Sequence, residues 1–198
     1  MVKYFLLSEM IEEAGEDVAK SILATFVCPP NPEIEDFLLD KAIDSARQGR
    51  TATHLLLDDA NQVIAYFTVM IKIVSVQKER VAGRMKQRVA RFADQPGSPD
   101  NGYYEIPAYL IAQFGKNYSP KVNESISGDE LMAIAYKYIG IAQKNIGGRI
   151  VYIECDNNNK LVDFYSRNSF IAFGERPATE DNADGRIYIQ MLRYVKGF

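Results

Sequence analysis

The chain has 198 residues, 47% of them hydrophobic, enough for one substantial domain or at most two small ones, and disorder is excluded as a description of the whole. With 23 Lys+Arg against 26 Asp+Glu the formal charge is −3, so the molecule as a whole is not an electrostatic nucleic-acid binder and no nucleic-acid partner is expected. Cys28 and Cys155 lie far apart and His54 is the only histidine; this argues against a protein-ligated metal and for two reduced, packed thiols in a cytoplasmic protein.

Residues 2–7 read as a short strand, followed by a helical pattern with Ala14, Val18, Ile22 and Phe26 on one face. The acidic Glu9, Glu12 and Glu13 that follow the first apolar residues are unlike a signal peptide. Cys28, Pro29 and Pro30 end that helix. Asn31 then caps a second one, with Pro32 at its first position and Glu33 and Glu35 in the first turn, running to about Arg47 before Gly49.

Residues 51–57 and 63–76 are predicted strands joined by a polar turn at Asp58, Asp59, Ala60 and Asn61. In the second strand both alternating sets are apolar, Val63, Ala65, Phe67, Val69 and Ile71 against Ile64, Tyr66, Met70 and Val74, as in a strand covered on both faces. Thr68, Lys72 and Ser75 interrupt the run, and it is too short to span a bilayer, so no membrane segment is expected.

Residues 77–102 read as an insertion. Its first half carries Lys78, Arg80, Arg84, Lys86, Arg88 and Arg91 against Glu79 alone, with helical turn around 81–92; its second half, 94–102, is turn-rich. Residues 106–114 resume as a strand and 115–126 as an irregular loop. The clearest helix spans 128–145, with Leu131, Ile134, Ala135, Tyr138 and Ala142 at helical spacing and Gly147-Gly148 as its stop. A strand at 149–155, a helix at 158–168 and strands at 171–173 and 187–195, around a turn at 181–185, complete an α/β domain with a mixed, mostly antiparallel sheet and helices on both faces.

Three local features carry chemistry. Ser127 and Glu130 have the spacing of a capping box, and a helix start of this kind, with Gly128 beside it, can present backbone N–H groups to an anion. Gly115, at the end of its strand, marks either a close backbone approach or simply the strand's end. Leu161, Phe164 and Tyr165 share a helical face, where periodicity alone makes Tyr165 a core aromatic.

Taken in this order, the features resemble the GNAT superfamily of acyl-CoA-dependent N-acetyltransferases, from about residue 51 to 195, with the N-terminal helices in register. The closing signature appears as Asn158, Phe164-Tyr165 and Ser169-Phe170, the pantetheine strand as residues 111–117, and the pyrophosphate loop as Asn123, Glu124, Ser125, Ile126, Ser127 and Gly128. That loop departs from the family pattern: Asn123 stands where Arg or Gln is usual, and Ile126 replaces a glycine. Asp129 and Glu130 add negative charge there, which would repel phosphates unless the side chains turn away or Lys116, Lys121 or a solvent cation compensates.

The resemblance implies a single N-acetyltransferase-like domain over residues 1–198 that uses acetyl-CoA as co-substrate, without a metal, to acetylate a primary amine of a small molecule or protein. Phe114, Gly115, Lys116, Asn123, Ser125, Ile126, Ser127, Gly128, Asp129, Asn158 and Phe164 are the implied cofactor-binding residues, and Tyr165 the implied general acid. Glu105, Glu154 and Asp156 are near the expected cleft, but none is assigned as the base, and His54 reads as a structural strand residue. Two alternatives stand beside this. One is toxin-like acetylation of aminoacyl-tRNA, with residues 78–91 contacting phosphates; the other is a non-catalytic acyl-CoA-binding module, motivated by the altered loop. Either is compatible with a homodimer.

Overall fold

The computed structural model describes residues 2–93, 101–120, 122, 124–178 and 185–195. Lys121, Asn123, residues 94–100 of the expected turn-rich loop and residues 181–184 of the last turn lie outside the described residues. Seven strands, β1 (Lys3–Leu6), β2 (Ala52–Leu57), β3 (Val63–Gln77), β4 (Tyr103–Lys116), β5 (Ile150–Asp156), β6 (Ile171–Pro177) and β7 (Ile187–Tyr194), form one sheet ordered β1-β2-β3-β4-β5-β7-β6. The pairs β1–β2, β2–β3, β5–β7 and β6–β7 are antiparallel, whereas β4 and β5 run parallel. Parallel neighbours require a crossover, and helix α6 (Gly128–Ile146) supplies it. The expected mixed, mostly antiparallel sheet is the one observed.

The chain divides into two compact units, Met1–Met70 with Ile111–Ile139 and Ile71–Leu110 with Gly140–Phe198. In the first, helices α1 (Leu7–Ala14) and α2 (Glu16–Leu23) replace the single expected helix, because Gly15 takes φ 89° and restarts the backbone. The break changes the buried face: Leu7, Met10, Ala19 and Leu23 are buried, while Val18 is 47% exposed. The next helical stretch consists of α3 (Pro32–Asp36), a π turn at Phe37–Lys41 and α4 (Ala42–Arg47). Asn31 sits at the N-cap position of α3 without a side-chain cap bond; instead the Glu35 carboxylate accepts from the Cys28 N–H at 2.5 Å. These helices, β2 and the first half of β3 bury one cluster that includes Leu38, Leu55, Leu57, Val63 and Tyr66.

The β2–β3 turn forms as expected, with the Asp58 carboxylate accepting from the Ala60 and Gln62 N–H groups. β3 is covered on both faces only in its first half; Ile71 and Ile73 are 52% and 60% exposed. In the second unit the insertion contains helix α5 (Gly83–Ala90), whose Met85 and Val89 are buried. Helix α7 (Asn159–Arg167) precedes β6, and the second core includes Val76, Val81, Ile106, Val151, Ile153 and Leu192.

Candidate functional site

In the first unit the expected cofactor residues occupy the end of β4 and the start of α6. Gly115 is a point of close approach, but by protein: a Cβ there would stand 2.6 Å from Cγ2 of Ile34. Lys116 reaches forward and its ammonium donates to the Ile126 carbonyl at 3.0 Å. Ile126 and Val122 are buried, so the isoleucine at the glycine position pins the loop into the core, and the Ser125 N–H closes a turn on the Val122 carbonyl at 3.0 Å. Phe114 is half-buried on β4.

The capping box is complete. The Glu130 N–H donates to the Ser127 hydroxyl at 3.2 Å, and the Ser127 N–H and hydroxyl donate to the Glu130 carboxylate at 2.8 and 2.7 Å. The side-chain and backbone bonds from Ser127 hold the Glu130 carboxyl below its ordinary pKa. Its charge is thereby directed back to the cap, which lessens the repulsion expected there. Gly128 and Asp129 open the helix. Helix starts of this geometry suit an anion.

In the second unit, Asn158 caps α7 by accepting from the Lys160 N–H at 2.9 Å. Tyr165 is 8% exposed, edge-on to Phe164 at 5.0 Å and to Phe170 at 5.7 Å between ring centroids. Ser169, at φ 67°, turns the chain so that the Phe170 N–H reaches the Tyr165 carbonyl at 3.1 Å. The phenol is thus held from both sides of its own helix end.

The three carboxylates considered as bases are all engaged. Glu105 accepts from the Ser75 hydroxyl at 2.7 Å. Glu154 holds the Arg176 guanidinium in a fork at 2.6 and 2.5 Å and accepts from the Tyr152 hydroxyl, and Asp156 holds Arg186 at 2.6 and 3.0 Å. Burial would raise the Glu154 pKa, but the bonds from Arg176 and Tyr152 outweigh it and hold the carboxyl below its usual range. The Tyr152–Glu154–Arg176 set, joined by Gln190 donating to the Tyr152 hydroxyl at 2.8 Å, is not legible in the sequence as a set; its signal is Tyr152 and Glu154 on alternate positions of β5, which is apolar at Ile150, Val151, Ile153 and Cys155.

His54 is structural, as expected. It is buried, its Nδ1 contacts the Tyr4 hydroxyl, and it stacks on Phe67 at 4.6 Å with Tyr138 5.0 Å away. Burial pushes its pKa down to about 4, so the ring is neutral. Among the described residues no group of three His, Cys, Asp or Glu could hold a metal ion, and no helix is long and apolar enough to cross a membrane.

The basic insertion has a definite arrangement. Arg80, Arg84, Lys86 and Arg91 are exposed, whereas Arg88 lies over the Tyr194 ring at 4.6 Å and Lys78 over Tyr104 at 5.2 Å. Cations backed by aromatic rings keep their charge while losing part of their freedom.

No protein-family model and no curated protein matches the chain. Among solved structures, one described as a bacterial toxin superposes with a TM-score of 0.63 at 20% identity, covering 98% of this chain and 91% of that one. AtaT complexed with acetyl-methionyl-tRNAfMet gives 0.63 at 18% identity, with 96% and 94% covered. AtaTR bound with AcCoA gives 0.57 at 18% identity, with 96% and 93% covered. The chain shares its fold with these proteins.

Proposed function

We propose that this chain is a GNAT-type N-acetyltransferase that moves the acetyl group of acetyl-CoA onto the amine of an aminoacyl-tRNA. The observation that carries the reading is the likeness, over nearly the whole chain, to AtaT complexed with acetyl-methionyl-tRNAfMet; the parallel β4–β5 pair of one unit and the capped start of α6 in the other each agree with acetyl-CoA as donor. The −3 charge argues against a nucleic-acid partner. Net charge averages over the molecule, however, and the exposed Arg80, Arg84, Lys86 and Arg91 concentrate the opposite sign in one short stretch. The acceptor is accordingly revised from a small amine or protein to a charged tRNA.

In this reading the pantetheine arm lies along Phe114, Gly115 and Lys116, continuing past the paired Tyr109 and Leu110 of β4. The diphosphate meets the turn from Ser125 to Asp129, where the N–H groups of the helix start face it. Asn123, Asn158 and Phe164 are the remaining cofactor residues that the family resemblance implies. The neutral amine attacks the thioester carbonyl, the C–N bond forms, and the C–S bond breaks as the tetrahedral intermediate collapses. A backbone N–H near Phe114 or Gly115 supports the oxyanion. Tyr165 donates its proton to the departing thiolate; a phenol at ~10 and a thiol at ~8.5 are close enough in pKa for that transfer. The amine's proton leaves to water, so no carboxylate base is required, in keeping with the pairing of Glu154 and Asp156. Positioning two reactants is the main catalytic contribution.

The test compares CoA release from acetyl-CoA with charged tRNA against polyamines, amino acids and peptides. Release with charged tRNA, and tRNA binding that weakens steeply with salt, is expected. Release with a small amine alone would restore the first choice of acceptor, and absence of acetyl-CoA binding would overturn the whole reading.

A further inference from the structure

Asn117, directly after β4, is a polar residue with no exposed surface, and all of its hydrogen-bonding groups but its carbonyl are used to hold the strand's end. Its side-chain amide donates to the Thr25 carbonyl at 2.8 Å and to the Val63 carbonyl at 2.7 Å. Its side-chain oxygen accepts from the Ser119 N–H at 2.8 Å, and its backbone N–H donates to Ile64 at 2.9 Å. One residue therefore fastens the exit of β4 to the end of α2, to the start of β3 and to the following loop. Neighbours tighten the same joint: the Tyr118 N–H reaches the Val27 carbonyl at 2.8 Å, and the Thr25 hydroxyl accepts from the Val63 N–H at 2.9 Å while donating to Ile22 at 2.6 Å. Such an arrangement is costly to bury, and removing the amide takes a donor from the buried Val63 carbonyl and from the part-buried Thr25 carbonyl.

The residues placed immediately before this joint are those assigned to acetyl-CoA. Gly115 is wedged under Ile34, and Lys116 ties the strand to Ile126 just ahead of α6. We propose that Asn117 is a positioning residue for acetyl transfer: it sets where the Phe114 to Lys116 backbone stands, and through Lys116 where the loop before α6 stands. This rests on the reading of β4 as the strand that holds the cofactor. It touches neither cofactor nor acceptor itself. A displacement of about 1 Å in such a support costs on the order of a hundredfold in rate.

The experiment uses Asn117→Ala and Thr25→Val, with Thr25→Ser as the conservative control that keeps the hydroxyl, under conditions where each protein is folded. Amide exchange of residues 111–119 is measured beside kcat and the Kd for acetyl-CoA. Asn117→Ala is expected to exchange the Phe114 to Lys116 amides about tenfold faster or more, with kcat down about a hundredfold and Kd changed far less. Thr25→Val should move in the same direction by a smaller amount, and Thr25→Ser should recover. Unchanged exchange, or a kcat within about threefold of the parent for folded Asn117→Ala, overturns the proposal. Should Asn117→Ala fail to fold, the Thr25 pair decides: a Thr25→Val protein equal to the parent overturns it. If the parent itself does not bind acetyl-CoA, the functional reading fails, and the exchange rates still decide whether Asn117 holds the strand.

Discussion

The two units build their surfaces by different means. In the first, Phe114 to Lys116 and Ser125 to Asp129 would offer backbone groups held by the buried Asn117 and Ile126 and the half-buried Ile34. In the second, the sheet carries paired charges, Glu154 with Arg176 and Asp156 with Arg186, and Arg88 lies over an aromatic ring. The difference teaches where side-chain identity matters. Backbone contacts survive the replacement of Arg or Gly in a binding loop, which is how Asn123 and Ile126 can stand in a loop that still ends in an intact capping box. Side-chain pairs have no such tolerance, because removing one partner leaves the other charge uncompensated.

The sharpest separation of the two units comes from Tyr165→Phe. It should lower kcat by about 10²- to 10⁴-fold while titration with acetyl-CoA returns the parent affinity; a parallel loss of binding would show that the Tyr165 hydroxyl also takes part in cofactor capture. Acid should act next, through the first unit. His54 is held at about 4 when folded against about 6.5 unfolded, so the unfolded chain binds the extra proton between these values. Stability then falls as pH drops through that window and levels off below it, by about 3 kcal/mol. Thermal midpoints from pH 7 to 4 should show it, and His54→Phe should flatten that part of the profile.

Smaller still is Gly115→Ala, whose methyl meets Ile34 at 2.6 Å and should cost about 1–3 kcal/mol, read by urea unfolding. A second change, Ile34→Ala, should recover part of that loss relative to Ile34→Ala alone, and no recovery would mean that the contact is not the cause. Ser127→Ala removes one half of the capping box and should cost about 1 kcal/mol, with acetyl-CoA affinity changed little because the backbone N–H groups are kept.

What could be read from sequence was local. Ser127 and Glu130 stand three apart and meet, α6 follows its periodicity, and Asp58 closes its own turn. The failures have two physical sources. Gly15 at positive φ and the π turn at Phe37–Lys41 each reset helical phase, so a face counted through them, such as Ala14 with Val18, comes out wrong. Long-range bonds leave no periodic trace either: Asn117 reaches Thr25 and Val63, 92 and 54 positions away, and Glu154 finds Arg176 on another strand. Ile71 continues the apolar alternation of β3 and is exposed all the same, because alternation marks which residues share a face and not how far along the strand that face is covered.

The most direct measurement is CoA thiol release by the purified chain given acetyl-CoA and charged tRNA, with uncharged tRNA as the blank. Release that requires the aminoacyl group and falls by about 10²-fold or more in Tyr165→Phe is the expected result. No release with any acceptor, from a protein to which acetyl-CoA does not bind, would contradict the acetyltransferase reading outright.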